Sequence, residues 1–299
     1  LDAHNESWSN FKHRQQWRNT LATYAGPVIG DLDVAQIDTG LVLKVLQPIW
    51  SEKTETAVRL RGRIESVLSW ATTAGYRAGE NPARWKGHLQ NQLAMPTKIA
   101  KVEHHAALPY RELGAFMADL SRMSGQGARA LEFTILTAAR SGEVRGATWT
   151  EIDLDLALWT IPGERMKAKA EHTVPLSEAA QNLLRNQSRE SALLFPGARA
   201  GRPLSDMSLT AVLRRMSRGD LTAHGFRSTF RDWAAEQTAY PSEVIEMSLA
   251  HTITNKVEAA YRRGDLIEKR RRLMNDWAKY CATVATTTGK VLPMRSTKA

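Results

Sequence analysis

The sequence predicts a mainly α-helical protein with a small β-sheet insertion, arranged as two domains. Apolar residues recur at helical spacing through most of the 299 residues, and one short stretch has the pattern of a β-hairpin. A chain of this length usually forms more than one hydrophobic core, and an aperiodic segment separates its two periodic halves. We therefore expect domains at residues 1–94 and 108–285, an interdomain linker at 95–107 and a flexible tail at 286–299.

The N-terminal domain should contain three helices. The first begins near Phe11 and should stop at the Gly26-Pro27 pair, because glycine and proline both disfavour a continuing helix. The second follows Asp38, and Pro48 should kink it or end it early. The third carries an apolar stripe, which consists of Val58, Ile64, Val67, Leu68 and Ala71.

Arginines are concentrated in the first half of the third helix, at Arg59, Arg61 and Arg63. A basic stretch at this place suits contact with phosphate groups, so these three residues are predicted to bind DNA. The alternative interpretation is an ordinary charged face in solvent.

The segment MPTKIAKVEHHAAL precedes the second domain and lacks sustained periodicity. It contains the adjacent pair His104 and His105. Neighbouring histidines without a carboxylate or cysteine at ligand spacing are weak evidence for a metal site, so no metal is predicted there.

The C-terminal domain should begin with two helices and continue with a β-hairpin. Leu113 to Leu120 marks the first helix, the SGQG segment a break, and the apolar run 131–139 the second helix. The segments LALWTIP and HTVPL are typical of two strands, and the charged turn between them carries Lys167 and Lys169. The remainder is mostly helical. Four tryptophans in apolar contexts should be core or interface residues rather than base-stacking platforms: Trp149, Trp159, Trp233 and Trp277.

Composition and charge restrict the class of partner. Lys and Arg total 41 against 31 Asp and Glu, and the formal charge of +10 favours a polyanion such as nucleic acid. No apolar run of about 18 residues is present, so a membrane-spanning protein is not expected. Cys281 is the single cysteine and cannot form an intramolecular disulfide, which fits a reducing cytoplasm. The start at Leu1 suggests a fragment of a longer protein.

Six polar residues of the C-terminal domain form a candidate catalytic constellation. His224 and Arg227 are three residues apart, so on a helix they share one face and can address one ligand. A cluster of arginine, lysine and histidine has no role in packing without negative charge, and a phosphodiester would supply that charge. The constellation consists of Arg140, Lys167, His224, Arg227, His251 and Tyr261.

Four segments carry these residues in order, and together with a fifth that follows Tyr261 they resemble the tyrosine recombinase (phage integrase) family, most closely the integrases of prophages and genomic islands. They are TAARSGEVRGATW, ERMKAKAEHTVPLS, LTAHGFRSTFRDWA, SLAHTITNKVEAAYRR and EKRRRLMNDWAKY. The resemblance covers the whole second domain, and the first domain is similar to that family's core-binding domain. It implies a tyrosine-recombinase-type mixed α/β catalytic domain.

The resemblance also implies a role for each residue. Arg140 and Arg227 would clamp the nonbridging oxygens of a scissile phosphate. Lys167, or Lys169 as the alternative, would protonate the departing 5′ oxygen, and Lys169 is also expected to bind DNA. Tyr261 would be the nucleophile that forms a 3′-phosphotyrosyl bond.

His224 looks like the acid/base residue near the nucleophile, and His251 like a histidine that hydrogen-bonds the phosphate. Glu143 could orient Arg140, or it could be a surface carboxylate. After the nucleophile, Leu273, Met274 and Trp277 would form a stripe that docks onto a neighbouring subunit.

The implied function is site-specific integration or excision of a mobile element in duplex DNA, without cofactor or metal. The expected partners are attachment-site DNA, a homotetramer on that DNA, a host DNA-bending protein and an excision factor, with no membrane. We expect cleavage to survive in this chain, whereas full integration should need residues upstream. A type IB topoisomerase and a DNA-binding accessory protein without chemistry are the alternatives.

Overall fold

A computed structural model describes residues 11–99, 106–251 and 265–284. The chain divides into two compact units, residues 1–104 and residues 105–299. Within the described ranges, no helix is both long and apolar enough to cross a membrane.

The first unit is helical, but both predictions of early helix ends are wrong. The helix that begins at Phe11 continues through Gly26-Pro27, because a π-helical turn precedes the pair and Gly26 N–H donates to Leu21 O. Pro27 then falls in the first turn of the next helix, where its missing N–H costs little. The elements are α1 (Phe11–Thr20), the π-helical turn (Leu21–Ala25), α2 (Gly26–Ile29), α3 (Thr39–Trp50), α4 (Thr54–Thr73) and α5 (Pro96–Ile99).

Pro48 lies inside α3 and does not end it early. The helix runs on to Trp50, so the proline removes a hydrogen bond only in the last turn. Asp38 caps the start of α3 by accepting from Leu41 N at 2.8 Å.

The core of the first unit forms mainly between α3 and α4. On α4 the predicted stripe is partly confirmed: Ile64, Leu68 and Ala71 are buried. Ile99 of α5 packs against the same core, so the start of the predicted linker belongs to the first unit.

The second unit begins with three helices and a small sheet. They are α6 (Leu113–Arg122), α7 (Gln126–Thr137), α8 (Ser141–Arg145), β1 (Ile152–Asp153), β2 (Leu158–Ile161) and β3 (His172–Pro175). The strands are antiparallel in the order β1-β2-β3, with Trp159 opposite Val174 and Ile161 opposite His172. The predicted hairpin is confirmed, and β1 adds a strand that the pattern did not indicate.

Five more helices complete the described part of this unit: α9 (Glu178–Arg185), α10 (Ser208–Arg215), α11 (Gly225–Gln237), α12 (Ser242–Ser248) and α13 (Ile267–Ala282). The core packs around α13 and α7, and Trp277 Nε1 donates to Ile135 O at 2.8 Å. Trp159 and Trp233 are also buried, as predicted, whereas Trp149 is only partly buried, beneath the guanidinium of Arg189.

The prediction that three residues of α13 form a stripe for docking onto a neighbouring subunit is wrong. Leu273, Met274 and Trp277 are 0%, 1% and 0% exposed within their own chain. Their spacing marks one apolar helix face, but spacing alone does not say whether that face packs within the chain or against a neighbour.

Candidate active site

Arg140 lies at a sharp turn between two helices. α7 ends at Thr137, its C-cap residue Ala138 has a left-handed φ of 51°, and Arg140 is the N-cap residue of α8. Glu143 accepts from Arg140 twice, from the backbone N–H at 2.8 Å and from Nη1 at 2.8 Å. The Glu143 side chain is 5% exposed, so it is a buried partner that orients Arg140 rather than a surface carboxylate.

Arg227 is held in the first turn of α11 by carbonyl groups from two other segments. Its Nη1 donates to Ala138 O at 2.5 Å, and its Nη2 donates to Leu249 O at 2.6 Å. Burial, reinforced by the charge of Arg140, lowers the pKa of Arg227 to about 10. The guanidinium therefore remains a buried cation at neutral pH.

The turn after α12 connects the two arginines. Ala250 has a left-handed φ of 50°, and its carbonyl accepts from Arg140 Nη2 at 3.2 Å. The preceding carbonyl, that of Leu249, holds Arg227. Two tight turns, one after α7 and one after α12, thus bring together guanidinium groups that are far apart in the sequence.

His251 follows that turn and contacts Arg227. Its Nε2 lies 3.2 Å from Arg227 Nη2, and its Nδ1 lies 2.5 Å from Glu246 Oε2. Because arginine only donates, Nε2 is the acceptor and Nδ1 carries the proton that is donated to Glu246. Glu246 also accepts from Arg231 Nε at 2.6 Å. Burial opposes ionisation of Glu246, but the hydrogen bonds from His251 and Arg231 outweigh it and lower the pKa.

His172, the first residue of β3, also belongs to the site, although it is not among the residues predicted from the sequence. Burial lowers its pKa to about 3, and the charges of Arg270, Arg140 and Arg227 act in the same direction. Its Nε2 lies 3.4 Å from Arg270 Nη2, which also donates to Thr173 O at 2.5 Å. His172 is therefore a neutral acceptor beside the arginine cluster, and its place after the lysine-bearing turn was the one signal that could have identified it.

The predicted lysines lie on the turn between β2 and β3. Lys167 and Lys169 are both exposed, and Lys169 has a left-handed φ of 57°. The turn leads directly into His172, so it ends beside the arginine cluster. The structure thus places both lysines on one short connection and does not choose between them.

His224 is the N-cap residue of α11 and is exposed, one helical turn from Arg227. The other predicted residue, Tyr261, lies outside the described residues, as do His104 and His105. The description resumes at Asp265, two residues before α13 begins at Ile267.

The cluster has an excess of positive charge. Its cations are Arg140, Arg227, Arg231 and Arg270, and its carboxylates are Glu143, Glu246 and Asp265. Buried cations in such numbers favour an anionic ligand with several oxygen acceptors. Among the described residues, no group of three or more His, Cys, Asp or Glu side chains could hold a metal ion.

In the first unit, Arg63 does not suit contact with phosphate. It is 8% exposed, and its Nη1 donates to Gln16 O at 2.8 Å and to Thr20 Oγ1 at 2.5 Å. Its guanidinium lies 5.6 Å from the centre of the Trp17 ring. The DNA-contact interpretation is therefore wrong for Arg63, which joins α4 to α1.

Arg61 and Arg59 differ in exposure. The Arg61 side chain is 15% exposed, bonded to Glu65 at 2.5 Å and to Ala83 O at 2.8 Å, so it too is occupied within the unit. Arg59 is 68% exposed in an ion pair with Glu55 at 3.0 Å. Of the three arginines, Arg59 remains available for an external phosphate.

The chain is similar to known proteins along most of its length. The phage integrase central domain matches residues 1–88, and the phage integrase family matches residues 109–266. The integrase of Enterobacteria phage P4 is 32% identical, over 93% of this chain and 66% of that protein. Prophage integrase IntZ of Escherichia coli (strain K12) is 32% identical, over 95% of this chain and 70% of that protein. The chain thus spans about two thirds of the length of these relatives.

Solved structures share the fold at low sequence identity. A lambda integrase dimer bound to a COC′ core site has a TM-score of 0.67 and 14% identity, over 85% of this chain and 93% of that chain. The Tn1549 transposon integrase in complex with transposon right end DNA has a TM-score of 0.64 and 11% identity, over 92% of this chain and 96% of that chain.

Proposed function

The chain belongs to the phage integrase family of tyrosine recombinases, and on that premise we propose that it cuts and rejoins duplex DNA at specific sites. The reaction would integrate or excise a mobile element through a 3′-phosphotyrosyl intermediate. The observation that carries this proposal is the pair of guanidinium groups, Arg140 and Arg227, held together by Glu143 and the turn at Leu249 and Ala250.

Pre-oriented guanidinium groups suit phosphoryl transfer. Attack on a phosphodiester gives a pentacoordinate transition state with extra charge on the nonbridging oxygens, and arginine donors stabilise that charge. Arg140 and Arg227 are already fixed by internal acceptors, so little reorganisation is needed when the phosphate arrives. His251 belongs to the same cluster, with its Nε2 3.2 Å from Arg227 Nη2.

The proposed cleavage step balances as a single transfer. The bond from the Tyr261 phenolic oxygen to phosphorus forms while the bond from phosphorus to the 5′ oxygen breaks. The phenolic proton passes to a base, for which His224 is the candidate, and Lys167 gives a proton to the departing oxygen. The phosphotyrosyl bond conserves the free energy of the broken phosphodiester bond. A 5′ hydroxyl from another strand can therefore reverse the step without ATP.

The proposed partner is double-stranded DNA, bound mainly through its phosphates by the basic chain. The solved relatives include a lambda integrase tetramer bound to a Holliday junction, which supports assembly of four copies on paired sites. A DNA-bending protein and an excision factor of the host or element belong to the same proposal, as does a location on DNA in the bacterial cytoplasm.

Covalent attachment tests the proposal directly. Nicked duplexes that tile the DNA flanking the gene are incubated with the wild type and with Tyr261→Phe, and products are separated on a denaturing gel. The nick lets the short 5′ hydroxyl strand diffuse away and traps the adduct. We expect a protein–DNA adduct with the wild type alone.

Other patterns would contradict the proposal. Adducts with both proteins would place the nucleophile at another residue. Sequence-specific DNA retention without any adduct would indicate an accessory binding protein. Relaxation of any supercoiled plasmid, without exchange between paired sites, would indicate a topoisomerase.

A further inference from the structure

Arg165 lies at the base of the turn that carries Lys167. It ends the 3₁₀ turn Gly163–Arg165, and the next residue, Met166, is only 4% exposed. Lys167 follows and is exposed. The turn therefore has a fixed base, made by Arg165 and Met166, directly before its exposed lysine.

The guanidinium of Arg165 is held by two acceptors. Nη1 forms an ion pair with Glu151 Oε1, and Nη2 donates to the backbone carbonyl of Glu143. Glu151 is itself fixed, because its side chain is 8% exposed and its Oε2 accepts from Trp159 Nε1 at 2.9 Å. Trp159 is a fully buried residue of β2. Arg165 thus connects the turn to rigid parts of the unit.

Glu143 links this contact to the phosphate-binding residues. Its carboxylate holds Arg140, while its carbonyl holds Arg165. One residue of α8 therefore contacts both the arginine assigned to the phosphate and the base of the lysine turn. A shift of Arg165 would move the turn relative to Arg140.

Gly146 leaves the space that Arg165 needs. A Cβ atom built at Gly146 would lie 3.0 Å from Arg165 Nη2 and 3.6 Å from its Cζ. The backbone there has a φ of −99°, which any residue can adopt, so the absence of a side chain serves the close approach and not the conformation.

We propose that Arg165 is a positioning residue, which fixes the turn so that the Lys167 ammonium reaches the departing 5′ oxygen. The inference rests on the proposed recombinase function and on Lys167 as the general acid. A general acid must come within hydrogen-bond reach of the atom that it protonates, and small displacements cost rate. Arg165 itself touches no substrate.

The test compares two leaving groups at the cleaved position. One nicked duplex has the ordinary 5′ oxygen, and the other has a 5′-bridging sulfur. A thiol has a pKa of about 8.5, so the sulfur leaves as a thiolate and needs no proton from the protein. A defect that acts through the general acid therefore disappears with sulfur, whereas a general structural defect remains.

We expect Arg165→Met to slow adduct formation on the oxygen duplex by about 100-fold. On the sulfur duplex its rate should match that of the wild type, and Lys167→Ala should behave in the same way. The control is Arg122→Met, which removes an arginine whose side chain is 79% exposed and should be equal to wild type on both duplexes.

Suppose that sulfur restores the rate of Lys167→Ala, but that Arg165→Met forms adduct equally slowly on both duplexes. That result would overturn the positioning role of Arg165 and leave the general-acid role of Lys167 intact. Failure of sulfur to restore Lys167→Ala would overturn the general-acid assignment and the inference with it. Absence of any wild-type adduct would instead contradict the proposed function. Should Arg165→Met fail to fold, Gly146→Ala is the second variant, since its methyl group pushes the guanidinium slightly away and should give a smaller loss that is likewise restored by sulfur.

Discussion

The arginines of the active site are fixed by acceptors that the fold places around them. Arg227 uses the carbonyls of Ala138 and Leu249, and Arg140 uses Glu143 together with the carbonyl of Ala250. The three backbone carbonyls lie at the end of a helix or in the turn after it, where carbonyl groups lack a helical partner, whereas Glu143 contributes its carboxylate from within α8. Helix ends therefore supply acceptors to the two groups whose charge the proposed reaction requires.

Glu143→Gln should reduce adduct formation while leaving DNA binding nearly intact. The Arg140 backbone N–H and Nη1 donate to different oxygens of Glu143, and glutamine replaces one of these oxygens with an NH2 group that cannot accept. A misdirected phosphate donor should cost about 10²–10³-fold in the rate of cleavage. Single-turnover adduct formation and gel-shift titration separate the two effects.

The matched control is Glu132→Gln, which alters another arginine–glutamate pair with the same three-residue spacing, Arg129 with Glu132 at 2.7 Å. It should keep the wild-type rate. A Glu143→Gln protein that cleaves normally, or that loses DNA affinity and cleavage together, would contradict the assigned role of Glu143.

His172 should make stability depend on pH in acid. Its pKa is about 3 in the folded protein, mainly through burial, against an ordinary value of 6.5. Between these values the unfolded chain binds more protons, so stability rises with pH across about 3 to 6.5 and gains nothing further above it. Urea unfolding at several pH values should show a shallower dependence for His172→Gln. Parallel curves for the two proteins would show that His172 is protonated equally in both states.

At the scale of elements, apolar spacing predicted most of the helices and the hairpin, because burial of one face dominates their formation. It failed at Gly26-Pro27, where a π-helical turn precedes the pair and the helix continues with Pro27 in the first turn of α2. It also failed at the two-residue strand β1, which is too short to show a pattern. It could not separate internal packing of α13 from subunit docking. The spacing of residues along the chain shows which of them form an apolar face, but it does not show which part of the protein packs against that face.

Alanine substitutions at two glycines in different helices should change the stability of the protein in opposite directions. A Cβ at Gly62 of α4 meets nothing within 4 Å, so Gly62→Ala should stabilise the protein by about 0.5–1 kcal/mol through helix propensity. A Cβ at Gly114 of α6 would overlap the Thr283 carbonyl, so Gly114→Ala should destabilise by about 1–3 kcal/mol. Urea titrations followed by circular dichroism measure both. A Gly114→Ala protein as stable as the wild type would contradict the packing of α6 against the end of α13, and a destabilised Gly62→Ala protein would contradict the open space at Gly62.

At the scale of the whole molecule, the sequence indicated which residues belong to the candidate site better than it indicated the contacts that hold them in place. Arg140, Arg227 and His251 could be chosen by motif and do come together. Arg165 and His172 could not, because their roles depend on contacts with residues distant in the sequence. The net charge of +10 indicated a polyanionic partner but not which cations face it, as the buried Arg63 demonstrates.

Substitutions of Arg59 and Arg63 test which basic residues of α4 contact DNA. Each phosphate contact contributes about 0.9 to the slope of log affinity against log salt concentration. Arg59→Ala should reduce the magnitude of the slope by about that amount, because the exposed Arg59 can exchange Glu55 for a phosphate. Arg63→Met should leave the slope unchanged but lower the free energy of unfolding by about 1–3 kcal/mol, because Gln16 O and Thr20 lose a buried donor. Gel-shift titrations at several salt concentrations give the slopes, and urea unfolding gives the stability. A slope that falls in Arg63→Met and not in Arg59→Ala would mean that α4 turns its other face to DNA, with the contact between α1 and α4 opened on binding.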